Sequence, residues 1–203
     1  MPRTQEIVMA ERRRMLRATL AGGALVALGG VAFMPQLFAR DHGAAAATPD
    51  AAGNVTLQCF ADDGRPLGPC QVERLVLSEA QWHERLSPAA YHVMREDGTE
   101  RAFSGDHDKP ARPGLFRCAG CATALYDAAT EFDSGTGWPS FWQPIAAANV
   151  IEKRDSTFGM VRTEIRCAGC DSHLGHVFDD GPRPTGLRYC MNSVALRFVP
   201  FTT

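Results

Sequence analysis

Apolar and polar residues alternate with period two over a short stretch of the second half of the chain. Val161, Thr163 and Ile165 interleave with Arg162, Glu164 and Arg166. That period predicts a strand with one face buried. Val150-Ile151 predicts another short strand. Leu187 to Val199 is the longest strand-like segment, and as one strand it would put Cys190, Asn192, Val194, Leu196 and Phe198 on a shared face. Asp179-Asp180-Gly181-Pro182 and Pro184-Thr185-Gly186 read as turns. Helical signals come earlier. Ser78-Glu79-Ala80-Gln81 has the Ser-x-x-Gln form of a capping box and leads into Trp82 and Leu86. A second helix is expected to start at Ser87, with Pro88 as its first residue, and to run through Met94 until Asp97-Gly98 stops it. Phe103 to Gly114 reads as loop, and strands and turns follow from Leu115.

The N-terminus follows another pattern. Arg12-Arg13-Arg14 and Arg17 form a basic cluster, Ala18 to Ala39 carries no charge, and Ala44-Ala45-Ala46-Ala47 follows. Basic, apolar, small is the order of an export signal. The adjacent arginines resemble a twin-arginine signal. A retained membrane anchor is the alternative, since about 20 apolar residues span a bilayer. We therefore expect 1–47 to be signal or anchor, 48–77 to be linker and N-terminal extension, and 78–203 to be the working domain. Either reading of 1–47 puts that domain outside the cytoplasm, periplasmic or otherwise extracytoplasmic. The formal net charge of -2 gives no reason to expect a nucleic-acid partner.

The chemistry lies in the seven cysteines. Two identical Cys-Ala-Gly-Cys tetrads supply Cys118, Cys121, Cys167 and Cys170. Two such pairs can place four thiolates at the corners of a tetrahedron, the donor set of a closed structural zinc site. Two disulfides or two redox-active pairs are the alternatives. The strand-like flanks Leu115-Phe116-Arg117 and Glu164-Ile165-Arg166 do not suit a redox pair, which sits between a strand and a helix. Cys59 and Cys70 could close a disulfide across a loop containing Gly64, Pro66, Gly68 and Pro69. Cys190 is left as the candidate working thiol. His173 and His176 follow the second tetrad and would be held rigidly by a metal-tied turn; binding a metal of their own is the other option. Trp138 and Trp142 sit in a glycine-rich patch, where core packing and a seat for a small methyl group are both open.

Taken together, the tetrads, Gly-x-Gly-Trp-Pro-Ser-Phe at 135–141, His-Leu-Gly-His-Val-Phe at 173–178 and Arg-Tyr-Cys-x-Asn-Ser at 188–193 resemble the B-type methionine-R-sulfoxide reductases. The resemblance runs from about Leu86 to Phe198. It implies a mainly β fold of two small antiparallel sheets, with short N-terminal helices and one structural zinc ion. It implies that Cys190 attacks the sulfoxide sulfur and passes through a sulfenic acid. His173 and His176 would deliver or relay a proton, Asn192 would orient the oxygen or a histidine, and Trp138 would receive the substrate methyl group. Oxidised proteins or peptides would be the substrates, a thioredoxin-like or other thiol would be the reductant, and a monomer is expected. Many members carry a resolving cysteine where this chain has Thr136. Three routes follow: an external thiol reduces Cys190, Cys59 or Cys70 resolves it, or Cys59 and Cys70 form a structural disulfide. We favour the structural disulfide with external reduction. A zinc-ribbon module that binds a protein is the principal rival, and a thiol peroxidase or disulfide-exchange enzyme is the second.

Overall fold

The structure, a computed structural model, describes residues 53–105, 113–156 and 161–201. The expected signal or anchor at 1–47 lies outside these residues. No helix among the described residues is long and apolar enough to cross a membrane.

The first elements form a hairpin, β1 (Asn54–Phe60) with β2 (Pro66–Glu73). It lies within the stretch read as linker and extension. The disulfide Cys59–Cys70 cross-links its two strands. Two short helices follow, α1 (Glu79–Arg85) and α2 (Pro88–Arg95). Their starts match the sequence signals. The Ser78 hydroxyl accepts from Gln81 N, and Ser78 N donates to Gln81 Oε1 at 2.9 Å, closing the capping box. The Ser87 hydroxyl caps α2, whose first residue is Pro88. The helices bury Trp82, Leu86, Val93 and Met94.

The other strands are β3 (Gly114–Cys118), β4 (Ala124–Asp127), β5 (Glu131–Phe132), β6 (Ser140–Phe141), β7 (Val150–Asp155), β8 (Arg162–Cys167), β9 (His173–Phe178), β10 (Arg188–Met191) and β11 (Leu196–Pro200). They make a six-stranded sheet in the order β5-β6-β10-β9-β8-β7 and a three-stranded sheet in the order β11-β3-β4. Every pairing is antiparallel, as expected for this fold class. Aromatic rings join the two sheets. Tyr126 of β4 stacks on Phe141 of β6 with ring centroids 4.3 Å apart, and Phe116 of β3 meets the same ring edge-on at 5.0 Å.

One expectation fails. The segment 187–199 is two strands in different sheets, not one. The break falls at Asn192, after which Ser193–Ala195 form a turn of 3₁₀ helix. The chain has to cross from one sheet to the other there. Ala195, fully buried, accepts a hydrogen bond from Ala119 N at 2.9 Å, which ties the crossing point to the first tetrad. Cys190 and Asn192 therefore do not share a strand face.

The hairpin docks through Asn149, itself fully buried. Its Oδ1 accepts from Gln58 N at 2.8 Å, and its Nδ2 donates to Gln58 O at 2.9 Å and Ala124 O at 2.8 Å. Val55 and Leu57 pack on Ala168 of the second tetrad. Cross-linking two residues 11 apart restricts the unfolded chain, an effect of about 2–3 kcal/mol. The Cys59→Ser/Cys70→Ser variant should lose about that much stability, seen as a lower melting midpoint in calorimetry. An unchanged midpoint would mean that the hairpin lies outside the cooperative unit.

Candidate active site

The two tetrads form the same turn twice. Cys118 ends β3, its N–H donates to Thr123 O at 2.8 Å, and its carbonyl accepts from Ala122 N at 2.9 Å. Cys167 ends β8 and repeats this with Ser172 O at 2.9 Å and Asp171 N at 2.8 Å. Ala122 and Asp171 take left-handed φ of 63° and 54°, which reverses each chain. Gly169 is required where the turns meet, because a Cβ there would lie 2.4 Å from Thr123 Oγ1.

All four tetrad cysteines are free thiols, with sulfurs within 4.8 Å of one another. The shortest separations are 3.4 Å for Cys121–Cys167 and 3.6 Å for Cys118–Cys170. A tetrahedron with Zn–S bonds of about 2.3 Å has edges of about 3.8 Å. The cluster thus fits a zinc site, and four sulfurs leave no open position for water. A second acidic grouping, Asp97, Glu164 and His173, is already served by a cation, since Arg166 reaches Asp97 at 2.8 Å and Glu164 at 2.6 Å.

The clasp holds the start of β9, and the working face begins there. Cys190 of β10 pairs with His176 of β9 on one side and with Ser140 of β6 on the other. Glu164 of β8 pairs with His176, and Asp155 of β7 pairs with Arg162. Residues directly opposite in an antiparallel pair point to the same face, their Cβ atoms about 4.5–5.5 Å apart. Asp155, Arg162, Glu164, His176, Arg188 and Cys190 therefore share one polar face. The backbone is tight beside the thiol: a Cβ on Gly175 would lie 2.1 Å from Cys190 O.

His173 and His176 are three apart, and on a regular strand they would point to opposite faces. A register shift in the β8–β9 pairing, between Ile165 and Arg166, breaks that parity. Both rings reach the same side, with centroids 5.3 Å apart. Each has a carboxylate partner. His173 Nδ1 lies 2.7 Å from Glu164 Oε1, and His176 Nε2 lies 3.0 Å from Asp155 Oδ2. A carboxylate only accepts, so these nitrogens carry the protons. That leaves His173 Nε2, buried without a partner, and His176 Nδ1 for chemistry.

The charges are arranged by burial and pairing. Burial pushes the Cys190 thiol up, while the Arg188 charge and hydrogen bonds from Thr136 and Arg188 pull it back; the thiol stays above its ordinary value. Desolvation by the sheet is the larger influence on the sulfur. Arg188 is held by Asp180 through two contacts of 2.9 Å. Burial lowers His176 below its ordinary value, although Asp155 opposes this. Burial would raise Glu164, but the His173 hydrogen bond and the Arg166 charge outweigh it, and the carboxyl lies below 4.5.

The structure places the remaining candidates as follows. Trp138 is half-buried, and its indole donates to Glu100 O at 3.2 Å. Asn192 is buried and already bonded, with Nδ2 donating to Leu174 O at 3.0 Å and Oδ1 accepting from Glu100 N at 2.9 Å. It braces the strand between the two histidines. Cys59 and Cys70 are bonded to each other. Sequence reasoning missed Glu164, Asp155, Arg166, Arg188 and Glu100. Glu164 and Arg166 fall on the polar side of the alternating stretch, which period two alone reads as solvent-facing; they are 7% and 8% exposed.

One thiol outside both the disulfide and the tetrads, set beside two imidazole–carboxylate pairs, and a four-cysteine cluster that fits zinc make up the candidate site. The SelR domain family matches residues 86–200. The chain belongs to that family, whose curated relatives are named peptide methionine sulfoxide reductase MsrB. The relative from Bradyrhizobium diazoefficiens is 53% identical over 128 residues, 63% of this chain and 92% of its own length. The Agrobacterium fabrum relative is 55% identical over 123 residues, 61% of this chain and 91% of its own. The one from Pseudomonas syringae pv. syringae is 53% identical over 129 residues, 64% of this chain and 98% of its own.

Two outcomes test the geometry. Cys118→Ser should drop bound zinc, read by atomic absorption, from one ion per chain to near zero, and it should lower the melting midpoint. Full metal retention would show that the four sulfurs are not the ligands. Glu164 has a folded value below 4.5, so the unfolded chain takes up the proton first. Stability present above that pH should be lost as pH falls below it. Glu164→Gln should flatten this acid limb in urea titrations; an unchanged slope would contradict the pairing.

Proposed function

We propose that this protein reduces methionine-R-sulfoxide to methionine. Family membership supports the reaction class. The observation that carries the residue assignment is Cys190, a free thiol set directly across the strand pair from His176. The thiol sulfur attacks the sulfoxide sulfur to form a transient S–S bond, and that bond and the S–O bond both break as the oxygen passes to the cysteine sulfur. The oxygen ends on Cys190 as a sulfenic acid, and methionine leaves. The thiol proton travels to the oxygen through the open imidazole nitrogens of His173 and His176, while Glu164 and Asp155 hold the opposite nitrogens. Arg188 and Thr136 favour the charge that appears on the sulfur during attack. Trp138 seats the methyl group. Zinc held by Cys118, Cys121, Cys167 and Cys170 would supply rigidity at the clasp.

Regeneration needs two electrons, and two external thiols supply them as a disulfide, with release of water. Thr136 cannot act as a resolving group, and Cys59 is bonded to Cys70, which supports reduction from outside, by a thioredoxin-like protein or a small thiol. Export by residues 1–47 would direct this repair to oxidised proteins outside the cytoplasm. A zinc-ribbon binding module gives no reason for two imidazole–carboxylate pairs beside a lone thiol.

Resolved sulfoxides of a blocked methionine provide the test. The R form should turn over with a dithiol reductant and the S form should not, and Cys190→Ser should lower the rate by at least about a thousandfold. Turnover of the S form, or an active Cys190→Ser protein, would overturn the reading. Cys59→Ser/Cys70→Ser should keep its turnover with the dithiol at a temperature where it is fully folded; a loss beyond twofold there would assign those sulfurs a resolving role.

A further inference from the structure

Glu100 has no part in the scheme above, yet it touches three pieces of the site. Its backbone carbonyl accepts the Trp138 indole N–H at 3.2 Å, and its own N–H donates to Asn192 Oδ1 at 2.9 Å. Its carboxylate then fixes where that backbone lies. Oε1 accepts from Ser193 N at 2.7 Å, and Oε2 accepts from Ser193 Oγ at 2.8 Å and Val194 N at 3.1 Å. These donors open the 3₁₀ turn that follows β10, two residues beyond the thiol strand. Hydrogen bonds to an ionised acceptor are about twice as strong as neutral ones. A carboxylate on the first N–H groups of a helical turn is thus a firm anchor.

A second staple holds the same segment to the tryptophan loop. Phe103 N donates to Gly137 O at 2.8 Å, and the Phe103 ring lies over Gly137, so a Cβ there would meet it at 2.6 Å. Phe103 holds a left-handed φ of 61° while 74% exposed. A bulky residue in that region is costly and persists only where its surroundings impose it.

We propose that Glu100 is a positioning residue that sets Trp138 and Asn192 in register with the thiol strand. The carboxylate grips the 3₁₀ turn that follows β10, and the backbone of the same residue holds both side chains. Without the carboxylate, the segment can shift, and the tryptophan seat and the asparagine brace shift with it. The inference rests on the reading of Trp138 as the methyl seat.

The test uses the full-length, zinc-loaded protein with Glu100→Ala. The expected result is a KM for the R sulfoxide raised at least fivefold with a smaller fall in kcat, at unchanged zinc content. The Cys59→Ser/Cys70→Ser variant controls for lost stability and should leave KM alone. On a Trp138→Phe background, which lacks the indole donor, Glu100→Ala should raise KM by less than it does in the native protein. An unaltered KM, or KM effects that simply multiply, would overturn the proposal. A readout independent of turnover is the Trp138 indole N–H resonance, assigned by its disappearance in Trp138→Phe. It should move in Glu100→Ala; if it stays put, the positioning role is refuted whatever the substrate. Failure of the proposed function would instead appear as a native protein without R-sulfoxide activity.

Discussion

The architecture depends on four sulfurs brought within bonding distance of one point. The two tetrads are distant in sequence, and each ends a strand in a different sheet. Tying them together fixes the β3 end against the β8–β9 turn, and His173 leaves that turn three residues after Cys170. A metal held there would turn its binding energy into folding energy, next to the first imidazole. The aromatic contacts of Tyr126 and Phe116 with Phe141 close the same two sheets elsewhere.

On the working face, desolvation and pairing oppose one another residue by residue. Burial alone pushes Cys190 and Glu164 up and His176 down. For Glu164 the partners win, and the carboxylate is ionised. For Cys190 and His176 burial wins, so the resting site holds a thiol and a neutral imidazole. That balance suits a reaction in which the thiol's proton is needed on the departing oxygen. A permanent thiolate would have surrendered that proton before substrate arrived. The carboxylates set which ring nitrogen is free, so in the proposed reaction the sheet would set the direction of proton transfer.

Local signals were legible in the sequence where the chemistry is local. Ser78 and Ser87 announced the two helices, the paired tetrads announced the clasp, and Cys190 stood out as the unpaired thiol. Three features were not legible, for different physical reasons. The break at Asn192 arises because the chain changes sheets, and nothing in the alternation of Val194, Leu196 and Phe198 marks that crossing. Glu164 and Arg166 are buried by charge pairing rather than by hydrophobicity, so a pattern that equates polar with exposed assigns them to solvent. The register shift that brings His173 beside His176 is likewise a property of strand pairing, which appears only when β8 and β9 meet.

In the proposed reaction Cys190 alone takes the oxygen. A single turnover without reductant, with a sulfenic-acid trap and mass spectrometry of every cysteine peptide, shows where that oxygen goes. One methionine per chain and a trapped adduct confined to Cys190 is the predicted result. A disulfide joining Cys190 to Cys59 or Cys70, or an adduct on any clasp sulfur, would contradict it.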